Sequence, residues 1–573
     1  MPAWRSKRIT DNYYCSSMMV ISTALKFALA VACSLLALGI EAAGPLNLNN
    51  LPSLLNATLD ELRYGLDFGL FTSVDLTRVY IERIKEVTND LRPVTEINPD
   101  ALSIAAKMDA EREEKKIVGG LHGIPVLIED NMATLDKMNT TAGSYALVGA
   151  VPKEESTVVA KLRKAGAIIL GKTNMSEWAG MRSFNTSNGW SAYGGQTKGA
   201  YFPGQDPWGS SSGSAVASSI GLAWASLGTE TDGSLSSTAN ANNVVAIKPT
   251  VGLTSRYMVI PVSERQDSVG PMARTVKDAA YLLAAIAGRD AKDTRERSTS
   301  DFPFEDSKLP DYVAACKKDG LHGKRIGVLR HPFGTSAQSP AENEPMYREF
   351  LGALETFASA GAVIVRDIDM PGEALLNHGT AYPISLNADL RGNLGRYYLE
   401  LLQTNPANVK SLEDVVRFTH SHPKEEYPTR DTRLWDDALA FVDNSTEILR
   451  SHLRLLYYGG HGGVIGALHN FTLDAIAVPT AMMPRTPAVI GSPFISVPLG
   501  KMPHDTPVKP DASGVLNATA PNAPFGLSFL GRVWGEETLI EIAYAFEQRT
   551  MARQEIHPYI EPRTELRDVI GKA

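Results

Sequence analysis

GSSSGSAVASSIGLAWASLGTETDGS, residues 209–234, decides how the rest of the chain is read. A Gly/Ser-dense turn opens it, a run of small and apolar residues follows, and Gly228-Thr-Glu-Thr-Asp-Gly-Ser234 closes it. Ala215–Leu227 is long and small enough for a buried helix, or for a helix and a strand, that sets two hydroxyl-bearing turns against each other. Small residues let the backbone approach a ligand, and successive N–H groups in such turns form anion-binding nests. A serine there is a candidate nucleophile, and the N–H groups of Thr231, Asp232 and Gly233 are where a developing oxyanion would land. By itself a Ser-rich stretch is an ordinary turn-forming loop, so the decision falls to its neighbours.

Those neighbours are LHGIPVLI (121–128), AGAIILGKTNMSEWA (165–179), VVAIKPTVGLTSR (244–256), QDSVGPMARTVKDAA (266–280) and PFGLSFLGRVWGEETLIEIAYAFEQRT (524–550). In order and spacing they resemble the amidase signature family, and the resemblance covers nearly everything after residue 50. It implies an α/β fold, a large mixed sheet covered by helices on both faces, and C–N hydrolysis by a Ser–cis-Ser–Lys triad. Carried over residue by residue, the nucleophile is Ser234 and the bridging serine after a cis peptide is Ser210. Thr231, Asp232 and Gly233 supply the oxyanion hole. The family's Lys precedes an Asp at the end of the GIPVLI strand, and here that position reads Ile128-Glu129-Asp130. Glu129 stands in place of the amine.

That departure bears on the chemistry. A neutral amine derives from an acid of pKa about 10.4, a carboxylate from one of about 4.3. Burial raises a glutamate, so a carboxylate base is admissible. A potential anion beside the oxyanion site nevertheless opposes the stabilisation that dominates acyl transfer, and ordinary amide hydrolysis is expected to be impaired. Smaller departures cluster nearby: Thr238-Ala239 lacks the family's proline, Asn243 and Ala246 occupy glycine positions, and Trp208 replaces a small residue before Gly209.

The chain has 573 residues, 43% of them hydrophobic and 21% charged, with no low-complexity linker, which fits one large domain over 44–573. A net charge of −8 gives no reason to expect nucleic acid or an anionic membrane as partner. A small-molecule substrate is the expected partner; no cofactor and no metal are implied. Residues 1–43 read as a secretory signal, with Lys26 before an apolar run from Phe27 to Ile40 and small residues at Ala42 to Gly44. An anchor over about 18–40 is the alternative, and the only route to a membrane. The sequons at Asn56, Asn139, Asn174, Asn185, Asn444, Asn470 and Asn517 are compatible with secretion, although Asn139 and Asn174 fall in core motifs. Of Cys15, Cys33 and Cys316, a processed chain keeps only the last.

Along the chain, Thr58–Glu61 reads as a capping box, a helix starts near Ser73 with Leu76, Val79, Tyr80 and Ile84 on one face, and another follows Pro99. Ile124–Ile128 is the first core strand, with Glu129 at its end; alternation directs Glu129 and Asp130 to opposite faces. Helix–Gly–strand units recur around Gly166 and Gly361. GAIILGKT (166–173) matches a P-loop expression, but its apolar middle reads as a strand, which argues against a nucleotide. Residues 288–310 read as an exposed connection. His420 and His422 have no matching ligands and read as a surface pair. The segment 371–460 is least similar to the family and is where substrate choice is expected to reside. Ala475–Val478 and Phe494–Val497 read as strands, 502–524 as loop and Thr538–Gln548 as a closing helix.

Three functions compete: an enzyme acting on an amide, ester or related acyl group through Ser234; a non-hydrolytic enzyme (isomerisation or cyclisation) using Glu129 as acid or base; and a catalytically silent binding protein.

Overall fold

The computed structural model describes residues 51–297, 302–304, 308–332, 340–441, 444–479 and 482–571. The expected signal or anchor lies outside the described residues, and no described helix is long and apolar enough to cross a membrane. Pro52–Ala573 forms one compact unit.

Its centre is an 11-stranded mixed sheet. In spatial order the strands are Val94–Ile97, Ile168–Thr173, Pro125–Glu129, Ala225–Glu230, Ser268–Ala273, Val245–Lys248, Phe494–Lys501, Pro524–Leu530, Ala475–Pro479, Arg325–Leu329 and Val363–Ile368. Pro125–Glu129 runs parallel to both its neighbours, whereas Ala225–Glu230 pairs antiparallel with Ser268–Ala273. Every residue of Pro125–Glu129 and Ala225–Glu230 is buried, as a sheet covered by helices requires.

The stretch 209–234 forms the helix Ser212–Ser219 followed by the strand Ala225–Glu230. All eight residues of that helix are buried. Its small side chains let it lie close to the strands; a Cβ at Gly213 would stand 2.3 Å from the carbonyl of Pro93. The helix Ser236–Asn242 follows the second turn and packs on the strands Phe494–Lys501 and Pro524–Leu530. Asn243 ends it at φ +55°, a conformation Asn shares with glycine, so the loss of glycine there costs the fold little.

The helices Leu59–Asp67 and Ser73–Leu91 both begin at capping boxes, on Thr58 and Thr72. In the second, Leu76, Val79, Tyr80 and Ile84 are buried. Thr157–Lys164 leads through Gly166 into the strand Ile168–Thr173, so the P-loop-like run is sheet. Within the segment read as an exposed connection, Asp293 and Arg295 are buried, and Asp293 pairs with Arg256 at 3.0 Å. His420 stacks on Tyr427 with ring centroids 3.8 Å apart, and His422 stacks on Tyr145 and Phe418. Of the sequons, Asn174 is fully buried and Asn139 donates to Glu96 at 2.6 Å.

The middle of the chain builds a second apolar core beside the sheet. Leu390 and Leu394 from the helix Ala381–Tyr397, with Leu412, Val415 and Trp435, pack on Met175, Trp178 and Ile260. Beneath it, Arg182 is fully buried between Glu177 at 2.9 Å and Glu425 at 3.2 Å. Its guanidinium also donates to the carbonyls of Glu425 and Arg430, which fastens the segment around 425–431 to the core.

Candidate active site

Strand alternation sorts the charged residues at the end of Pro125–Glu129. Asp130 turns to Thr141, whose hydroxyl it binds, and to the buried Lys172. Glu129 turns the other way. Its Oε2 lies 2.9 Å from Ser211 Oγ and 3.1 Å from Thr229 Oγ1. The two carboxylates therefore do not act as a pair, as the alternation predicts.

Burial pushes the Glu129 carboxyl up to about 8, against the opposing hydrogen bonds from Ser211 and Thr229. Asp130 rises to about 6 for the same reason, with Lys172 holding it down. Desolvation lowers Lys172 to about 8. At neutral pH Glu129 is thus largely a neutral acid.

The Gly209–Ser210 peptide is cis. Ser210 is buried, and its Oγ has no hydrogen-bond partner; Glu129 Oε1 is likewise buried and unpartnered. A glutamate side chain is one bond shorter than a lysine, and this one ends at Ser211. Space for Ser211 comes from Gly228, where a Cβ would sit 2.8 Å from its hydroxyl.

Among the described residues no lysine takes the place of a base at Ser210. Lys172 is registered against Ile128, not Glu129, so it points to the opposite face, where its Nζ donates to Met132 O at 2.5 Å and Thr140 Oγ1 at 2.9 Å. Lys248 donates to the carbonyls of Pro249 and Ser492.

Ser234 is half-buried in the turn between the strand Ala225–Glu230 and the helix Ser236–Asn242. Glu230 fixes that turn by accepting from the N–H groups of Leu235 (2.8 Å) and Ser236 (3.0 Å). The N–H groups of Thr231, Asp232, Gly233 and Ser234 donate to no acceptor among the described residues. Gly233 has φ +129°, a conformation that favours glycine. No hydrogen bond links Ser234, Ser210 and Glu129 directly in this structure.

The turn is walled by residues that sequence reasoning missed. Asp232 Oδ2 accepts from Tyr382 Oη at 2.5 Å and from Arg485 Nε at 3.2 Å. The Arg485 guanidinium lies 4.1 Å over the Tyr382 ring. Burial and the Asp232 charge hold the Tyr382 phenol well above its usual range. Asn131 Nδ2 donates to Thr229 Oγ1 at 2.9 Å, which extends the contacts of Glu129 toward an apolar pocket. Met175, Trp178, Ile260, Leu394 and Trp435 line that pocket. A second pocket shares Asn131, Ala179, Ile260 and Val262 with it and continues along Thr229–Thr231. The one available signal was the thin resemblance over 371–460, which supplies Tyr382, Leu394 and Trp435.

With fold and site in view, the chain belongs to the amidase family: residues 75–540 match the model of the family described as Amidase. It is 46% identical over 544 residues to an amidase-family protein of Arthroderma benhamiae, covering 91% of this chain and 90% of that one. Among solved structures it resembles a peptide amidase in complex with the competitive inhibitor chymostatin, at 38% identity and TM-score 0.77, over 87% of this chain and 99% of the other. The native peptide amidase from Stenotrophomonas maltophilia gives 37% identity and TM-score 0.77, over 90% and 100%. The chain carries the family's α/β fold and large mixed sheet.

Proposed function

We propose that the chain hydrolyses amides of small, peptide-like molecules through Ser234, slowly at neutral pH because Glu129 fills the position of the family's lysine. The observation that carries this reading is the turn 231–234, where four N–H groups without protein acceptors surround a half-buried serine. The similarity to peptide amidases supports the substrate class.

In this reading Ser234 Oγ attacks the amide carbon and the N–H groups of Thr231, Asp232 and Gly233 receive the oxyanion. The serine proton passes through Ser210 to the Glu129 carboxylate and then to the leaving nitrogen. Collapse breaks the C–N bond and leaves an acyl-enzyme, which water hydrolyses with the same groups in reverse. Buried polar atoms left unpaired cost about 1–3 kcal/mol each. Ser210 Oγ and Glu129 Oε1, both unpaired, are the atoms this relay would join. Since Glu129 must ionise to accept the proton, and ionises near 8, the active fraction is small at pH 7.

The secretory reading of residues 1–43 is retained as part of the proposal, on the apolar run and small residues that motivate it. A non-hydrolytic reaction is the second reading, favoured by the neutral state of Glu129, which suits it to donate a proton.

The test is turnover of N-acylamino-acid amides by the purified chain beside Ser234→Ala and Glu129→Lys. Hydrolysis lost in Ser234→Ala and raised at pH 7 in Glu129→Lys supports the proposal. Hydrolysis that survives Ser234→Ala removes it, and turnover of another kind that requires Glu129 but not Ser234 favours the second reading.

A further inference from the structure

Asp232 sits awkwardly in the nucleophile turn. In the proposed reaction its N–H belongs to the cradle that receives the oxyanion, yet only a short side chain separates that N–H from a carboxylate. A second negative charge so close to a developing oxyanion opposes the stabilisation on which acyl transfer depends. The Asp232 side chain is 15% exposed, so water and salt screen it poorly.

The fold brings a counter-charge to that place. Arg485 Nε donates to Asp232 Oδ2 at 3.2 Å, and Tyr382 Oη donates to the same oxygen at 2.5 Å. The guanidinium lies 4.1 Å over the Tyr382 ring, which holds the cation between ring and carboxylate. Pro484, the residue before Arg485, rests on the turn itself: a Cβ at Gly233 would stand 3.4 Å from its Cβ. Among the described residues neither Tyr382 nor Arg485 hydrogen-bonds to Ser234, Ser210 or Glu129. An ion pair whose Arg485 side chain is 37% exposed adds little to stability, so what the contact supplies lies in the field at the turn.

We infer that Arg485 and Tyr382 are positioning residues that hold and neutralise the Asp232 carboxylate, so that its charge does not oppose the oxyanion on the N–H groups of residues 231–233. The inference rests on the hydrolase reading and adds to it two residues that act through Asp232 without touching the substrate.

The test reads kcat and KM for an N-acylamino-acid amide on the full chain and its variants. In Arg485→Met, kcat is expected to fall about tenfold or more while KM changes less than about twofold. Arg485→Lys brings back a cation and is expected to restore part of kcat. Asp232→Asn removes the charge and sets its own reference level; adding Arg485→Met to it is expected to cost less than about threefold. Tyr382→Phe keeps the ring against the guanidinium and is expected to follow the same pattern with a smaller loss. A loss from Arg485→Met that is equally large in Asp232→Asn overturns the inference. So does a loss confined to KM, as for a residue that binds substrate, or an absence of restoration in Arg485→Lys.

The same variants are compared by the rate at which a fluorophosphonate labels Ser234, since that attack also places negative charge on an oxygen at the turn. If no amide is turned over but labelling shows this pattern, the hydrolase reading falls and the charge compensation stands. If amides are turned over without the pattern, the inference falls alone. A chain that neither turns over amides nor labels removes both.

Discussion

Glu129 and Ser211 meet at 2.9 Å, and that contact, not one with Ser210, is where the buried carboxyl ends. Ser211 also lies 3.0 Å from the carbonyl of Thr229 and accepts from its N–H at 3.1 Å. Its single proton serves one acceptor at a time. The carboxylate and the Thr229 carbonyl therefore compete for that proton. Burial is what holds Glu129 neutral, and the hydrogen bond that Ser211 donates works against it.

A stability difference follows. Glu129 is raised from 4.5 to about 8, so the folded state binds more protons than the unfolded state between those values. Its contribution is favourable below the unfolded pKa and is lost as pH rises toward the folded one. Relative to Glu129→Gln, the unmodified chain is expected to lose about 1.4 kcal/mol per pH unit across that window. Urea titrations at pH 5, 7 and 8.5 measure it, and a pH-independent difference contradicts it.

Ser211→Ala removes a hydrogen bond that favours the ionised carboxylate of Glu129. The rising limb of kcat/KM is expected to move above about 8, with activity at pH 7 falling correspondingly. A limb that stays in place shows that another group titrates.

Arg182→Met leaves Glu177 and Glu425 buried against each other without a cation. A cost of about 3–5 kcal/mol is expected from breaking a buried pair. Glu177→Gln is expected to cost much less, because burial and Glu425 already hold Glu177 well above the usual carboxylate range. Chemical denaturation of both variants at pH 7 gives the comparison, and equal costs would show that the charge arrangement is not what matters.

Gly233→Ala places a side chain at φ +129°, with its Cβ 3.4 Å from Pro484. The strain is of order 1–3 kcal/mol, and relief by rotating the turn would displace the N–H groups around Ser234. Slower labelling of Ser234 by a fluorophosphonate is expected, together with a lower Tm. Unchanged labelling would separate the turn geometry from nucleophile reactivity.

The sheet and its helices were legible because local signals agree. The capping boxes at Thr58 and Thr72, the buried stripe from Leu76 to Ile84, and the apolar runs at 125–128 and 168–170 all act within a few residues. The opposite facing of Glu129 and Asp130 was equally readable, being a consequence of strand alternation. The walls of the site were not. Asp232 meets Tyr382 and Arg485 across separations of 150 and 253 residues, and no periodicity reports such a meeting. The burial of Asp293 was hidden for the same reason: its polar surroundings in sequence read as surface, while Arg256 receives it in the fold.

The registration of Lys172 against Ile128 has an evolutionary consequence. Because the neighbouring strand offers its amine only to the far side, no compensating mutation at 172 can hand a base back to Ser210. On the proposed reading, the direct route to faster turnover is codon 129 itself, where glutamate and lysine lie a single nucleotide apart. On that reading, a lineage carrying this residue stands one transition from an amine at this position, and persistence of the glutamate would itself be a sign of selection for the slower or altered reaction.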